Sequence, residues 1–365
     1  MFLSSLSVER FRNLESQTIA FGPGFNLIHG PNGAGKTALL ESVHVLSRAR
    51  SFRTPKYTSL IRTGSDDFLV RATIKEAASE RRLALQRQKT GKTALRLNSE
   101  SQVKVSDLAK HLPVHTILPD ASNLVFGGPS IRRVFLDWGV FHVEHLFLEV
   151  SRRYRRTLSQ RNAWLKQEAN ERTSIKDDPW LPALLTYGDR LNAMREQYIT
   201  VYAPIVAQTL SQLSPDLTVT LRYHWGGTQN IEASQQRMAE SWARDVKFGT
   251  THRGPHRSEV FMEAAGMPIA ETLSRGQAKL VSCAAILAQV VLMNQEAAST
   301  SVVLIDDFGA ELDDEHWRRF CTVLSTLNCQ VIATSAAPLN QQYSWLRELP
   351  NYREFHVEQG LIAEV

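Results

Sequence analysis

The chain has 365 residues, 43% hydrophobic and 22% charged, with a formal net charge of +5. That length predicts one large α/β unit carrying an insertion, or two to three domains, and the composition excludes a disordered chain. The longest apolar stretch, Leu280 to Met293, is interrupted by Ser282 and Gln289 and is too short for a bilayer. Met1 to Ser5 lacks the order of a secretory signal, and Cys283, Cys321 and Cys329 lie outside metal-ligand spacing, as small buried residues of a reducing cytoplasm would.

Strands and turns around one helix are predicted over the first 120 residues. Leu6 and Val8 alternate with Ser7 and Glu9, Gly22-Pro23-Gly24 is a turn, and Phe25 to His29 is a short strand feeding a glycine-rich loop. Leu39, Leu40, Val43 and Leu46 then share one helical face between Ala38 and Leu46. Phe68, Val70, Ala72 and Ile74 alternate as a half-buried strand, and Leu83/Leu85 with Leu95/Leu97 predict a hairpin around Lys89 to Lys92. Helical periodicity dominates from His115 to Lys247, with a polar loop at Asn170 to Asp178. After Phe248 the pattern returns to strand (Ser258 to Ala264), apolar helix (Ala278 to Met293) and two buried β-branched runs, Val302 to Ile305 and Gln330 to Ala333. The simplest organisation is a discontinuous α/β domain from residues 1–114 and 248–365, with a helical lobe, 115–247, inserted in it.

Gly30-Pro31-Asn32-Gly33-Ala34-Gly35-Lys36-Thr37 fits G-x-x-x-x-G-K-[ST]. Glycines let successive amides turn inward around phosphate oxygens, and the helix opening at Lys36 adds its positive N-terminus. Lys36 is placed to reach the β/γ-phosphates of a nucleotide and Thr37 to hold Mg²⁺. Gly91-Lys92-Thr93 imitates the end of such a loop, but Gln86 stands where the first glycine is required. Val302 to Ile305 runs into Asp306 and Asp307. Asp306 suits the carboxylate behind a bound Mg²⁺ and Asp307 an attacking water, against an ordinary acidic turn. Leu273-Ser274-Arg275-Gly276-Gln277 opens the apolar helix, a second device for phosphate: a hydroxyl, free amides and a helix tip. Two γ-phosphate binders with one nucleotide loop suggest that Ser274, Arg275, Gly276 and Gln277 serve a nucleotide held by another copy. ABC-type ATPases are similar in this respect. Glu311-Leu312-Asp313 resembles their D-loop, and Thr334-Ser335 stand where transporters carry a switch histidine.

The whole chain resembles the RecF family of bacterial recombination and repair proteins. The residues that carry the resemblance are Arg10 to Leu14, Gly30 to Thr37, Ser51-Phe52-Arg53, Gly128 to Asp137, Gln160-Arg161-Asn162 and Gly254-Pro255-His256-Arg257, followed by the signature, metal strand and D-loop in the family's order. The resemblance implies an α/β ABC/SMC-like P-loop ATPase head with an antiparallel β subdomain and a compact helical lobe in place of a long coiled coil. It also implies ATP and Mg²⁺ as cofactors, a homodimer bridged by ATP, binding to double-stranded DNA and single-strand gaps, slow hydrolysis, and joint action with RecR and RecO to load recombinase. By motif position Lys36, Thr37 and Asp306 form the ATP–Mg²⁺ set, Asp307 is the base, and Ser274 with Gly276 reaches the partner's γ-phosphate. Asp307 is one methylene shorter than the transporter glutamate, so slow turnover is expected. No Q-loop glutamine is assignable; His115 and Asp120 lie in that region, with a core or surface role as the alternative.

From Ile131 to Arg172 nine Lys/Arg face five Asp/Glu. Arg152, Arg153, Arg155 and Arg156 flank Tyr154 on a predicted helix, with Arg161 further along, and contact with DNA phosphates competes there with a solvated helix face. Arg87, Lys89, Lys92 and Arg96 are rival candidates. Two other functions stay open: an ATPase subunit of a membrane transporter, against which stand the 236 residues between Thr37 and Ser274 and the missing histidine, and a scaffold whose ATP is structural.

Overall fold

A computed structural model of the chain describes residues 1–76, 79–167, 174–226, 230–296, 300–307, 313–338 and 341–365. In chain order its strands are β1 (Phe2–Glu9), β2 (Gln17–Ala20), β3 (Phe25–His29), β4 (Asp67–Lys75), β5 (Glu80–Gln88), β6 (Thr93–Leu97), β7 (Val114–Ile117), β8 (Thr220–His224), β9 (Glu259–Ala264), β10 (Met267–Pro268), β11 (Ser301–Ile305), β12 (Cys329–Ser335), β13 (Arg353–Glu358) and β14 (Leu361–Glu364). The helices are α1 (Lys36–Arg48), α2 (Val105–His111), α3 (Asn123–Phe126), α4 (Pro129–Val143), α5 (Phe147–Gln167), α6 (Leu181–Leu213), α7 (Ile231–Glu240), α8 (Trp242–Phe248), α9 (Ile269–Thr272), α10 (Arg275–Glu296) and α11 (Asp314–Thr326).

Two compact units result, Met1–Ala121 with Val290–Val365, and Ser122–Gln289. The first holds an antiparallel sheet, β2-β1-β4-β5-β6, and a second sheet ordered β14-β13-β3-β12-β11-β7. In the latter β13, β3, β12, β11 and β7 run parallel, and β14 returns antiparallel to β13. All residues of β3 and β11 are buried, the continuous apolar pattern of parallel strands covered on both faces. Every residue of α1 from Ala38 to Ser47 is buried too. Leu39, Leu40, Val43 and Leu46 join one core with Leu6, Val8 and Val70 of the antiparallel sheet and Ile28, Leu304 and Ile332 of the parallel one. A helix enclosed all round is fixed in position, and so is the loop from which it starts.

The second unit contains the helices α3 to α9, most of α10, and a three-stranded sheet β10-β9-β8. The periodicity of residues 115–247 concealed β8, whose burial alternates weakly and whose partner β9 lies beyond the boundary expected at 247/248. Pairing of β8 with β9 draws residues 259–264 into the second unit, and the hydroxyl of Tyr202 on α6 donates to the Ala285 carbonyl of α10 at 2.6 Å. The division of the chain therefore falls at 121/122 and 289/290, not at the expected 114/115 and 247/248. At its N-terminal edge β7 pairs in parallel with β11, so residues 115–121 stay with the first unit.

The apolar helix is longer than its uninterrupted apolar stretch. α10 has 22 residues, of which an 18-residue window has a mean hydropathy of 1.6, enough by length and composition to cross a membrane, but 83% of that window is buried within the protein. Cys283 and Cys321 are buried and Cys329 is partly so. Burial pushes the thiols up, those of Cys283 and Cys329 to about 12, so all three stay protonated. Of the polar segment 170–178, residues 170–173 lie outside the described residues, and Ile175–Asp177 form a single 3₁₀ turn.

Candidate functional site

The P-loop connects β3 to α1 within the first unit. Gly30 (φ 155°) approaches β13 so closely that a β-carbon would lie 2.2 Å from the Val357 carbonyl oxygen. At Gly35 (φ 120°) it would lie 2.8 Å from Leu14. Both positions require glycine for conformation and for space. The loop is held from outside by Asn13, whose side-chain amide donates to the Gly33 carbonyl at 2.9 Å, and by Gly360, whose amide donates to the Ala34 carbonyl at 2.9 Å. Gly360 belongs to the β13–β14 turn, where Gln359 (φ 47°) and Gly360 (φ 83°) both take the left-handed conformation of a tight hairpin.

No side chain caps α1, and its first turn carries no acid. The amides of that turn and the helix dipole thus face an anion without a competing intrinsic partner. Lys36 folds its ammonium onto the carbonyls of Gly30 (2.6 Å) and Pro31 (2.9 Å), and burial lowers its pKa while Asp307 and Asp306 act to raise it. The Thr37 hydroxyl lies 3.0 Å from each carboxylate oxygen of Asp306. Thr334, at the end of β12, donates its hydroxyl to Asp306 Oδ1 at 2.7 Å and accepts the Asp307 amide at 2.9 Å. Asp307 itself sits at φ 59°, a left-handed conformation that aspartate tolerates better than most residues, two residues past the buried end of β11 at Ile305.

The Thr37 hydroxyl at the start of α1 and the Asp306 carboxylate just past β11 form a hard oxygen donor set. Among the described residues no group of three or more His, Cys, Asp or Glu could hold a metal alone. Mg²⁺ is typically held by one or two protein oxygens plus nucleotide phosphates, so the donor set fits Mg²⁺ with a nucleotide. The sequence placed Lys36, Thr37, Asp306 and Asp307 in one site, and the fold brings these four together. It left Thr334 as an absence of histidine; the hydroxyl bridge emerges only when β11 and β12 pair.

In the second unit, Ser274 stands ahead of α10 in a reciprocal cap. Its amide donates to Gln277 Oε1 at 3.0 Å, and its hydroxyl accepts the Gln277 amide at 3.3 Å. Ser274, Arg275, Gly276 and Gln277 are all exposed, and a β-carbon at Gly276 would meet nothing within 4 Å. Of the D-loop, Glu311 and Leu312 lie outside the described residues; Asp313 caps α11 by accepting the His316 amide at 3.0 Å. His115 is buried on β7 and held neutral, its pKa lowered to about 3 by burial, whereas Asp120 is exposed after that strand.

The basic segment sorts by burial. Arg161 is not a DNA contact: it is fully buried, donating to Asp178 (2.6 Å), Asp245 (2.8 Å) and Thr251 (2.6 Å). Arg132 pairs with Glu259 and also donates to three carbonyls of residues 124–127, and Arg133 donates to the Ser258 carbonyl. Arg153 is paired with Glu149 at 2.6 Å. Arg152 and Arg156, four residues apart on α5, are exposed with no carboxylate partner among the described residues, and Arg155 reaches Asp137 only at 3.5 Å. Of the rivals, Arg87 is stacked on Tyr57 at 4.0 Å. Sequence reasoning also missed Glu41, fully buried on α1, which accepts from Nε and Nη2 of Arg12, each at 2.8 Å, and from the Ser51 hydroxyl. The N-terminal and Ser51–Arg53 motifs thus converge on one carboxylate.

A P-loop beside an acid-ended parallel strand, under an antiparallel sheet and with a serine-led signature helix in the same chain, defines an ATPase head of the ABC/SMC class. The comparisons agree. The family described as RecF/RecN/SMC N terminal domain matches residues 2–344. DNA replication and repair protein RecF of Pseudomonas paraeruginosa is 36% identical over 365 residues, covering 100% of this chain and 98% of its own. The protein of the same name from Pseudomonas fluorescens gives the same identity and coverage. Among solved structures, the recombination mediator protein RecF with ATP superimposes with a TM-score of 0.87 at 24% identity, covering 100% of this chain and 97% of that one. The Smc head domain of Pyrococcus furiosus gives 0.58 at 14%, covering 100% and 96%. The chain belongs to the RecF family, whose function is DNA replication and repair, and the reading as a transporter subunit falls away.

Proposed function

We propose that this protein is a slow, DNA-stimulated ATPase of recombinational repair, cytoplasmic, which grips DNA as an ATP-bridged homodimer and works with RecR and RecO to load recombinase on gapped DNA. The observation that carries the reading is the shared hydrogen-bond set of Thr37, Asp306, Asp307 and Thr334 beside the P-loop lysine. The loop Gly30–Thr37 binds the triphosphate through its amides, and Lys36 exchanges its two carbonyl contacts for β/γ-phosphate oxygens. Thr37 and Asp306 would hold Mg²⁺, which when bound would neutralise charge developing on the phosphates. The Asp307 carboxylate takes the proton of the attacking water, and Thr334 keeps Asp306 and the Asp307 backbone in register. Ser274, with Gly276, approaches the γ-phosphate held by the other copy. Arg152, Arg155 and Arg156 touch DNA phosphates without reading sequence. Relatives that act in DNA replication and repair and in the RecFOR pathway support the partners and the DNA.

The test is ATP hydrolysis by the wild type, Lys36→Arg and Asp307→Asn, with and without DNA, alongside DNA binding at rising salt. Turnover stimulated by DNA and lost in both variants is expected, with affinity falling steeply as salt rises. No hydrolysis even on DNA favours a structural ATP, and no DNA binding with ATP present ends the reading.

A further inference from the structure

A cavity of about 540 Å³ in the second unit is ringed by Arg244, Arg253 and Arg257, with His224, His252 and the backbone of Gly226. Glu240 and Ser241 complete it, and no apolar side chain is among these residues. The three arginines are exposed and have no carboxylate within 4.0 Å among the described residues; Glu240 is itself paired with Arg237 at 3.2 Å. With Glu240 paired to Arg237, the three guanidinium groups leave the hollow with a positive lining that attracts an anion.

The scaffold beneath is far more ordered than a solvated loop needs. Arg161, completely buried, clamps Asp178 and Asp245 and reaches the Thr251 hydroxyl. Asn162 Oδ1 accepts both the amide (2.9 Å) and the hydroxyl (2.7 Å) of Thr251. Asp245 Oδ1 accepts the amide (3.0 Å) and Nδ1 (2.9 Å) of His252. The His256 ring spans the Thr251 carbonyl (2.9 Å) and the Tyr154 hydroxyl (2.7 Å), and Arg195 holds the Pro255 carbonyl at 2.9 Å. Gly254 donates its amide to the Gly226 carbonyl at 3.0 Å, and a β-carbon on Gly226 would lie 2.4 Å from the Gly254 carbonyl oxygen. Each anchor fixes a neighbour of Arg253 or Arg257 and leaves those two side chains out. A buried ion pair costs desolvation that only precise positioning repays. What is positioned is a guanidinium cluster, whose planar forks match phosphate oxygens. The described lining is charged and polar, as a phosphate site requires, and the exposed rings of Phe248 and Phe261 stand beside His252 and His224 outside it.

We propose that this cavity seats backbone phosphates of DNA through Arg244, Arg253 and Arg257, as a second contact site separate from Arg152, Arg155 and Arg156. The proposal rests on the DNA-binding reading above and adds where the phosphates lie. The counterion-release slope tests it, measured by anisotropy of a short labelled duplex and of a single strand between about 50 and 200 mM salt. Replacing the three arginines by glutamine should weaken duplex binding at least about tenfold at ~0.1 M salt and reduce the slope by about two to three. Replacement by lysine keeps the charges and should keep the slope. Arg253→Gln alone, judged folded by its thermal melt, should remove about one unit of slope from the duplex. An unchanged slope in the triple glutamine variant while wild type binds DNA overturns the pocket and leaves the DNA-binding reading standing. Loss of poly-glutamate binding with the DNA slope intact overturns it in favour of an acidic protein. Equal slope loss in the lysine variant also overturns it, since charge would not be the cause. A wild type that binds neither duplex nor single strand overturns both readings together.

Discussion

Thr334 is the residue on which the two acids of the site depend. Its hydroxyl satisfies one Asp306 oxygen and the amide of a strained Asp307, two demands that the absence of a histidine gave no hint of. Thr334→Val keeps the shape of the side chain and deletes both bonds. A hydrogen bond to a charged group is worth roughly 1.5–3 kcal/mol. Single-turnover hydrolysis should therefore slow by about ten- to a hundredfold, while affinity for a fluorescent ATP analogue, set by the loop and Lys36, changes little. Equal losses in affinity and rate would instead make Thr334 a ground-state binding residue. Local chemistry made Lys36, Thr37, Asp306 and Asp307 legible, because each is dictated by neighbours a few residues away. Thr334 and Glu41 were not, because their partners are 28 residues and up to 29 residues distant and meet only through strand pairing and helix packing.

At the scale of elements, α5 shows why charge counts along a sequence mislead. Its 21 residues present Arg152 and Arg156 to solvent and bury Arg161, and the difference is a matter of helical phase together with two aspartates from elsewhere, Asp178 and Asp245. Arg161→Ala leaves both carboxylates buried without a counter-charge, a loss of about 3–5 kcal/mol, and should lower the melting temperature by roughly 10 °C. The salt dependence of DNA binding by the folded fraction should keep its slope if α5 alone is disturbed near its C-terminal end, whereas Arg152→Gln with Arg156→Gln should flatten the slope without moving the melt. A stable Arg161→Ala with a flattened slope would place the lost phosphate contacts in the cavity of Arg244, Arg253 and Arg257, whose scaffold Arg161 clamps through Asp245 and Thr251. Elements with strong periodicity, α1 and the runs at β3, β11 and β12, were readable from sequence. β2, β8 and β14 were not, since short edge strands bury few side chains, nor was β13, whose parallel partner β3 is remote in the chain.

For the whole molecule, each unit holds a histidine whose charge the fold refuses. Burial lowers His115 to about 3, with Arg48 adding repulsion, and His256 to about 4, with Arg257 and Arg133 opposed by the Thr251 carbonyl and Asp245. The unfolded chain protonates such groups near 6.5, so stability is complete above that value and is lost as pH falls through it toward 4, at up to about 1.4 kcal/mol per pH unit for each ring. Melting temperatures should drop steeply between pH 7 and 5, and His256→Gln should lessen the slope; a flat profile would mean that these rings protonate in the folded state. The P-loop lies in the first unit and the serine-led tip of α10 in the second. If the tip serves a second copy, changing its charge should abolish association and spare ATP binding. Ser274→Arg tests this by bulk, at a capping cost of about 1 kcal/mol. Ser274→Asp is the cleaner test, because aspartate caps a helix as well as serine does while setting a carboxylate against the γ-phosphate. Light scattering should show wild type pairing with ATP and not with ADP, and both variants remaining single with ATP bound. Pairs formed by Ser274→Asp at wild-type ATP concentrations would mean that the γ-phosphate lies elsewhere and that α10 is capped by Ser274 for the sake of the fold alone.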